Sequence, residues 1–432
     1  MESNVIHNMD CLEGMKQLDA TSINILYTDP PYNMNSRYRI NPSTGHYEFI
    51  GKGSDFMAKW DAMDGLWWDE YFKEAYRILK HGGFIIMHNI DRQSDMWSYY
   101  ARRNEFMPLQ KLYWLFISNF PKATDVALMI DKKTGTKRNV VGETSNSAQT
   151  ESTGKYGAWG QTARPKTETL TDIRGGNYLA AHGAKKEKLV RDLTEATHPI
   201  AKKYDGYKYG QAALKQILEE ILVFWKSPYN GVIPDILSIE RNESISNRVH
   251  PSILNIGLTR QMIKDNRHTP QMLVDSRVAP YMVSNRGRTT DSVGINESLA
   301  HITFTEEDFQ DYYFYEPKAS KDEKEEGLDG FDTVLSNKAA IGTLLNEEGK
   351  DKWLTYSKNP HPTPKPLALC RWVIDLFTPP VPITILDTFA GQGSIPRVCE
   401  EKGIEGYGFE LDERFCEVAN RKVKTAHLTL FG

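Results

Sequence analysis

Near the end of the chain, two apolar runs joined by a glycine turn and a helix restrict the fold more than any other feature. Ile383-Thr384-Ile385-Leu386-Asp387 has the length and apolar content of a buried strand. Phe389-Ala390-Gly391-Gln392-Gly393-Ser394 follows as a glycine turn, and a helical stretch runs from it to about Lys402. Gly406-Tyr407-Gly408-Phe409 reads as a second strand ending in Glu410, and Asp412 is placed to cap a closing helix. Two strands separated by a helical crossover pair in parallel, and parallel sheets carry helices on both faces.

The glycines of such a unit let backbone approach a ligand closely, and an acid at the tip of the next strand accepts from ribose hydroxyls. Glu410 stands 17 positions beyond Gly393. A dinucleotide turn would call for a third glycine where Pro396 stands, so the unit suits a nucleoside without a pyrophosphate, such as S-adenosylmethionine. Taken in isolation, it is also consistent with an ordinary glycine turn.

A second stretch carries chemistry. Ile23-Asn24-Ile25-Leu26-Tyr27-Thr28 reads as a strand, stopped by Asp29-Pro30-Pro31-Tyr32, whose prolines lack ladder donors. A carboxylate, a carbonyl and an aromatic face are thereby held at a strand's carboxyl end, where open α/β sheets bind ligands. An exocyclic amine on a base is a poor nucleophile because its lone pair is delocalised into the ring. Two acceptors on its N–H groups would localise that pair, and Tyr32 offers a stacking face for an extruded base. Alone, the tetrapeptide is equally a surface turn with Asp29 as cap and Tyr32 as packing.

At 432 residues the chain is long enough for two units, and its 25% charged and 40% apolar residues are ordinary for a globular protein. No apolar run approaches the roughly 20 residues of a membrane span, and Met1-Glu2-Ser3-Asn4 lacks a signal peptide's basic and apolar regions, so a cytoplasmic location is expected. Cys11, Cys370, Cys399 and Cys416 contain no C-x-x-C pair, which predicts packing roles and no metal site. The net charge of −4 argues against nucleic acid binding by the whole surface. Residues 101–210, however, carry 19 Lys and Arg against 11 Asp and Glu, and residues 291–350 carry 5 against 15. A basic middle segment suits a localised phosphate-facing surface, and solvated charge suits it as well.

Along the rest of the chain, Val5 to Met9 reads as a strand ending in Asp10, and a helix follows to about Leu18. Residues 33–55 read as a long loop, of the kind that serves as a lid. Leu66 to Leu79 is an amphipathic helix with His81-Gly82-Gly83 as its C-cap, and Phe84–His88 is a buried strand. Asp91 is placed to cap a helix through Arg102, and Leu112–Ile117 is another strand. Between about Asp131 and Lys202 no helix or strand period survives, although Tyr156, Trp159 and Tyr178 point to ordering. Ala212 to Trp225 reads as helix passing into strand, and Lys321–Glu326 as an acidic surface run.

Together these motifs resemble the circularly permuted, beta-class DNA amino-methyltransferases. Asp29-Pro30-Pro31-Tyr32 is similar to their D-P-P-Y motif, and Asp10-Cys11-Leu12 to their D-C-L segment. His361-Pro362-Thr363-Pro364-Lys365-Pro366-Leu367 resembles H-P-T-x-K-P-L, which precedes the cofactor motif. Phe120-Pro121-Lys122 and the run from Tyr207 to Lys215 resemble a phage- and prophage-associated branch. The likeness spans about residues 5–130, 205–228 and 355–424, in the family's order of catalytic motif, recognition region and cofactor motif. Two departures stand out: Asp387-Thr388-Phe389-Ala390-Gly391-Gln392-Gly393-Ser394 for D-P-F-x-G-S-G-T, and Pro364 for the glutamine of H-P-T-Q-K-P.

The resemblance implies an α/β fold, a doubly wound, mostly parallel Rossmann-like sheet assembled from both chain ends. Residues 1–104 would hold the catalytic motif, 105–350 the target-recognition region and 351–432 the S-adenosylmethionine part. It implies that Asp29, Pro30, Pro31 and Tyr32 hold and stack the target base. Asp10, Glu410, His361, Thr363, Lys365, Asp387, Phe389, Gly391 and Gly393 would serve the cofactor: Asp10 its adenine, Glu410 its ribose, and His361, Thr363 and Lys365 its methionine end. The implied reaction is site-specific methylation of adenine N6 in double-stranded DNA. Asp29, where N4-cytosine members more often carry Ser, favours adenine. Cytosine N4 methylation stays open, as do an RNA substrate and a non-catalytic binding role. A companion restriction endonuclease, and a monomer or homodimer, are left open too.

Overall fold

The structure, a computed structural model, describes residues 1–32, 38–50, 63–90, 93–115, 122–145, 190–212, 218–255, 272–274, 319–335, 356–359, 361 and 363–430. Two compact units emerge, one of residues 1–116, 218–277 and 307–432, the other of 117–217 and 278–306.

The first unit is built on a nine-stranded sheet. Its strands are β1 (Val5–Asn8), β2 (Ile23–Thr28), β3 (Leu79–Asn89), β4 (Leu112–Leu115), β5 (Leu218–Trp225), β6 (Met272–Val274), β7 (Thr384–Asp387) and β8 (Glu405–Glu410), with Met107–Pro108 pairing beside β5. They lie in the order β1-β8-β7-β2-β3-β5-β4-β6. Pairing is parallel from β1 through β3, whereas β5 runs antiparallel to both β3 and β4. Helices α1 (Cys11–Lys16), α2 (Gly65–Ile78), α3 (Ser94–Arg103), α4 (Leu367–Phe377), α5 (Ser394–Glu401) and α6 (Glu413–Leu430) complete the α/β architecture.

The two-residue period of the strands divides the core. Ile25, Tyr27, Phe84, Ile86, Val223 and Ile385 pack with α4 and α5 on one face. Leu26, Ile85, Met87, Leu222, Phe224 and Leu386 pack with α1, α2 and α3 on the other. Helix α2 shows why: Asp64 caps it by accepting from Trp67 N at 2.9 Å, and Trp68, Tyr71, Phe72, Ala75 and Ile78 fall on one buried stripe. From β2 the chain passes through α2 to β3, and from β7 it passes through α5 to β8 on the opposite side. Strand order therefore reverses between β7 and β2. Their carboxyl ends form the switch point at which such sheets bind ligands.

Several local expectations are corrected. Gly82 and Gly83 do not cap α2. The helix ends at Ile78, Leu79 is already extended, and the glycines form a bulge inside β3 where the pairing with β2 shifts register. The segment expected as a loop contains an antiparallel pair, Tyr38–Ile40 with Tyr47–Phe49, tied to α3 by Tyr47 N donating to the Tyr100 hydroxyl at 2.9 Å. Regular structure enters the span from 131 to 202: a helix at Val126–Thr134, a ladder of Asn139–Ser145 with Val190–Glu195, and a helix at Pro199–Lys203. Of the stretch expected to pass from helix into strand, Leu218–Trp225 is a strand and residues 213–217 lie outside the described residues; ahead of it the strand Lys208–Ala212 pairs antiparallel with Lys122–Asp125. Asp91, Tyr156, Trp159, Tyr178, Phe120 and Pro121 lie outside the described residues. All four cysteines are free and buried.

Lys321–Glu326 is not simply a solvated acidic face. Glu323 Oε1 accepts from Leu367 N at 2.7 Å, placing an anion at the N-terminus of α4. Glu325 Oε1 accepts from Ser357 Oγ at 2.8 Å, and Glu326 pairs with buried Arg397 at 3.1 Å. Buried Lys422 of α6 donates to the Glu323 and Lys324 carbonyls at 3.0 and 3.2 Å and to Gln392 Oε1 at 2.9 Å. Gln392, one of the departures from the family pattern, thus has its oxygen fixed by Lys422 and by Asn359 Nδ2.

In the second unit, Asp125 caps Val126–Thr134 through Leu128 N at 2.9 Å, and Gly135 ends it in the left-handed conformation. Buried Asp131 accepts from Arg138 Nη1 at 2.6 Å, and Ala127, Ala196 and Ala201 form a small core.

Candidate active site

The seam between the chain's two ends builds the site. Thr28 Oγ1, at the end of β2, donates to Asp387 Oδ1 at 2.8 Å and accepts from Phe389 N at 3.2 Å. Residues some 360 positions apart thereby fix the Asp29 end of one strand beside the glycine turn of the other. Burial pushes Asp387 up to about 7 even though Thr28 and Phe389 N donate to it. Asp387 therefore shapes the turn from within.

On one side of the seam, Pro30 is buried and Asp29, Pro31 and Tyr32 are half-buried. The Tyr32 hydroxyl donates to Asp29 Oδ1 at 2.7 Å, and Lys365 Nζ donates to Asp29 Oδ2 at 2.6 Å and to the Tyr32 hydroxyl at 3.1 Å. Gln93 Nε2 donates to the Tyr32 carbonyl at 2.8 Å, and the Tyr32 ring lies tilted 6.5 Å from Trp97. Burial and the neighbouring Asp29 and Glu219 carboxylates hold the Tyr32 hydroxyl well above the usual phenol range. It acts here as a donor.

The other side of the seam is the glycine turn. Glu410, at the tip of β8, accepts from Gly391 N and from Asp412 N, each at 2.8 Å. Burial nevertheless raises it to about 7. Phe389 lies 6.2 Å from Trp67 and 5.9 Å from Tyr71, ring centre to ring centre, so an aromatic wall borders the turn. His361 packs edge-on against Phe415 at 4.9 Å; burial lowers it to about 4, and its Nδ1 has no hydrogen-bond partner among the described residues. Asp10 caps α1 through Leu12 N at 2.9 Å and Glu13 N at 3.3 Å. Thr363 is exposed.

Lys365 is the residue whose surroundings differ most from its expected role. Expected with His361 and Thr363 at the cofactor's methionine end, it bridges two carboxylates here, Asp29 at 2.6 Å and Glu219 at 3.3 Å. Burial opposes its charge, but the two carboxylates outweigh that and raise it above the usual lysine range. Glu219 comes from β5. Because β5 is antiparallel, its first residues lie at the carboxyl edge of the parallel strands. Burial would push Glu219 up; Lys365 and the hydrogen bond from His88 Nδ1 at 2.8 Å bring it down to about 2. His88 Nε2 in turn meets the Tyr27 hydroxyl at 3.0 Å. Sequence reasoning missed Glu219, His88 and Tyr27. The available signal was a charged pair, Glu219-Glu220, opening an otherwise apolar strand.

Residues 23–421 match the DNA methylase family of N6 and N4 methylases. The chain belongs to that family. It is 24% identical over 198 residues to the Type II methyltransferase M.BamHI of Bacillus amyloliquefaciens, covering 44% of each chain. It is 30% identical over 117 residues to the Type II methyltransferase M.HinfI of Haemophilus influenzae, covering 26% of this chain and 31% of that one. The chain thus aligns with less than half the length of either relative. Among solved structures, a complex of M1.HpyAVI with SAM overlaps 97% of this chain and 98% of its own at 10% identity and a TM-score of 0.36. PvuII DNA methyltransferase, described as cytosine-N4-specific, overlaps 97% and 87% at 11% identity and a TM-score of 0.39.

The residues present fit a nucleoside cofactor. Glu410 supplies an acceptor at a strand tip, Phe389 and Trp67 an aromatic face, and His361 an enclosed polar atom still lacking a partner. No helix among the described residues is long and apolar enough to cross a membrane, and no cluster of His, Cys, Asp and Glu among them could hold a metal.

Proposed function

We propose that the chain methylates adenine N6 in a specific sequence of double-stranded DNA, using S-adenosylmethionine. The observation that carries this reading is the seam: Thr28 holds Asp387 at 2.8 Å, so the Asp29-Pro30-Pro31-Tyr32 end and the glycine turn open at one switch point. S-adenosylmethionine supplies a methyl group on a sulfonium when bound. Glu410 would accept from its ribose, Phe389 and Asp10 would border its adenine, and His361 and Thr363 would meet its methionine end.

Asp29 and the Pro30 carbonyl accept from the target amine and localise its lone pair, while Tyr32 stacks on the extruded ring. The methyl group the cofactor supplies would go to the amine nitrogen, with the C–S electron pair left on sulfur, while Asp29 and the Pro30 carbonyl hold the amine. The proton then released from the amine passes to Asp29. Holding the two partners in line contributes most of the acceleration. Asp29 favours adenine over cytosine on the resemblance described above. The permuted motif order, with the catalytic strand ahead of the glycine turn, belongs to the same reading. A DNA surface in the second unit is supported by the exposure of Lys132, Lys133, Lys137, Lys202, Lys203 and Lys208 and of Tyr204, Tyr207 and Tyr209.

Single-molecule sequencing of DNA from cells expressing the chain or its Asp29→Ala variant tests the reading. N6-methyladenine in one sequence context, lost with Asp29→Ala, is expected. N4-methylcytosine in its place would change the base and keep the chemistry. No modified base in either sample would overturn the proposal.

A further inference from the structure

Asp29 is already engaged in this structure. One carboxylate oxygen accepts from the Tyr32 hydroxyl at 2.7 Å and the other from Lys365 Nζ at 2.6 Å. An ammonium this close neutralises the carboxylate and makes it a poor acceptor for a neutral amine, so Lys365 must yield when a base arrives. A buried ammonium left without a partner is strongly destabilised, and the move is feasible only if a second anion waits within reach. Glu219 Oε1 is 3.3 Å from Lys365 Nζ and 3.4 Å from the Tyr32 hydroxyl, so both donors on Asp29 already touch it. A displacement well under 1 Å would shorten the Lys365–Glu219 contact from 3.3 Å to the 2.6 Å that Lys365 now keeps with Asp29.

Glu219 is built as a fixed receiver. It is 8% exposed, His88 Nδ1 binds the same oxygen at 2.8 Å, and the His88 ring is stacked on Tyr27 with centres 5.6 Å apart. The adjacent Glu220 faces the other side of the sheet and is satisfied there by Lys111 Nζ at 2.6 Å and Asn89 Nδ2 at 2.9 Å, so the two carboxylates do not substitute for one another. Asp29 is the more exposed of the two, its side chain 19% accessible against 10% for Glu219.

Resting on the proposed methyl transfer, we infer that Glu219 is a positioning residue that takes Lys365 and the Tyr32 hydroxyl from Asp29 when Asp29 accepts the target amine. Glu219 does not touch the base. Its negative charge gives Lys365 a second place to stand, which frees Asp29 to bind the amine.

The test compares wild type, Glu219→Gln, and Glu219→Gln combined with Lys365→Met, using labelled S-adenosylmethionine and unmethylated bacterial genomic DNA. Glu219→Gln keeps the shape and removes the charge, leaving Lys365 on Asp29. The expected result is a fall in kcat of roughly 10²-fold with cofactor affinity and DNA affinity within about twofold of wild type. Lys365→Met removes the lock, and the double variant should regain at least about tenfold over Glu219→Gln. A merely structural ion pair predicts the reverse, with further loss in the double variant. Glu219→Gln with wild-type kcat, or a double variant no better than the single, overturns the inference while the proposed function stands. A wild-type chain that transfers no methyl group overturns both. Should Glu219→Gln not fold, Glu219→Asp, whose charge stops one methylene short of Lys365, takes its place with the same expected loss and rescue.

Discussion

Replacing Gly393 by alanine separates backbone strain from contact in the glycine turn, with Gly403→Ala as its control. Gly393 has φ of +81° and caps α5, and an added Cβ would lie 2.9 Å from Ala419 Cβ and 3.2 Å from Ala419 Cα. That neighbour is part of α6 and cannot rotate away. Gly403 has φ of +65° with nothing within 4 Å of its added Cβ. Both variants meet the left-handed penalty, about 1–2 kcal/mol. Only Gly393→Ala adds the overpacking cost, about 1–3 kcal/mol, so it should lose about 2–5 kcal/mol against about 1–2 for Gly403→Ala. Urea denaturation reads the difference, provided the m-values agree. Relief of the clash must move the turn by tenths of an ångström, and Gly391 N, which donates to Glu410, moves with it. Calorimetry with S-adenosylmethionine should therefore show binding weakened by about tenfold or more in Gly393→Ala and unchanged in Gly403→Ala. Equal stability losses, or intact binding in Gly393→Ala, would refute the close approach of the turn to α6.

Glu410 is raised to about 7 by burial, and its charged form is the better ribose acceptor. Cofactor affinity should fall by up to about tenfold for each pH unit below about 7, and Glu410→Gln should bind weakly with that dependence removed; titration calorimetry from pH 6 to pH 8 measures both. His250 is buried against Phe84 and lowered by burial from 6.5 to about 3. Between those values the unfolded chain binds a proton that the folded one refuses, so stability drops as pH falls below about 6.5, by about 1.4 kcal/mol per pH unit. Denaturant curves at pH 6, 5 and 4 should show the wild-type advantage over His250→Asn shrinking with that slope; a constant gap would remove the assignment. Lys132→Ala with Lys133→Ala should weaken DNA binding evenly across sequences and flatten its salt slope by about 1–2. An unchanged slope in a filter-binding series would take those lysines off the DNA.

What the sequence made legible was local. Apolar runs such as Ile383–Asp387 and Ile23–Thr28 end at chemistry-bearing residues within a few positions, so strand, turn and candidate role could be read together. The bulge at Gly82 and Gly83 was misread because glycine after an amphipathic helix serves equally as a cap or as an irregular strand start. The neighbouring strand decides: Asn24 O would lie 2.7 Å from a Cβ on Gly83. The Lys321–Glu326 run lies at the surface as expected, but its contacts were not legible. Its partners Leu367, Arg397 and Lys422 come from three helices further along the chain, and no spacing within the run encodes them.

The same distinction explains why half of the carboxylate machinery went unseen. Asp29 announces itself because prolines beside it fix its place at a strand end. Glu219 sits in a strand that reads as apolar, and its meaning depends on the antiparallel course of β5, which brings the first residues of that strand to the edge where β2 and β3 end. A strand running the other way would have carried the same glutamate to the far edge of the sheet, away from Lys365. The direction of one strand, which local pattern does not specify, therefore decides whether the lysine has one carboxylate to hold or two. Inverting the expected effect makes the dependence measurable. If Lys365 had only Asp29 to bind, Lys365→Met alone would free Asp29 and raise the rate of methyl transfer. With Glu219 present, Lys365→Met leaves that buried carboxylate short of a cation, and the single variant should be slower than wild type even though the same substitution rescues Glu219→Gln.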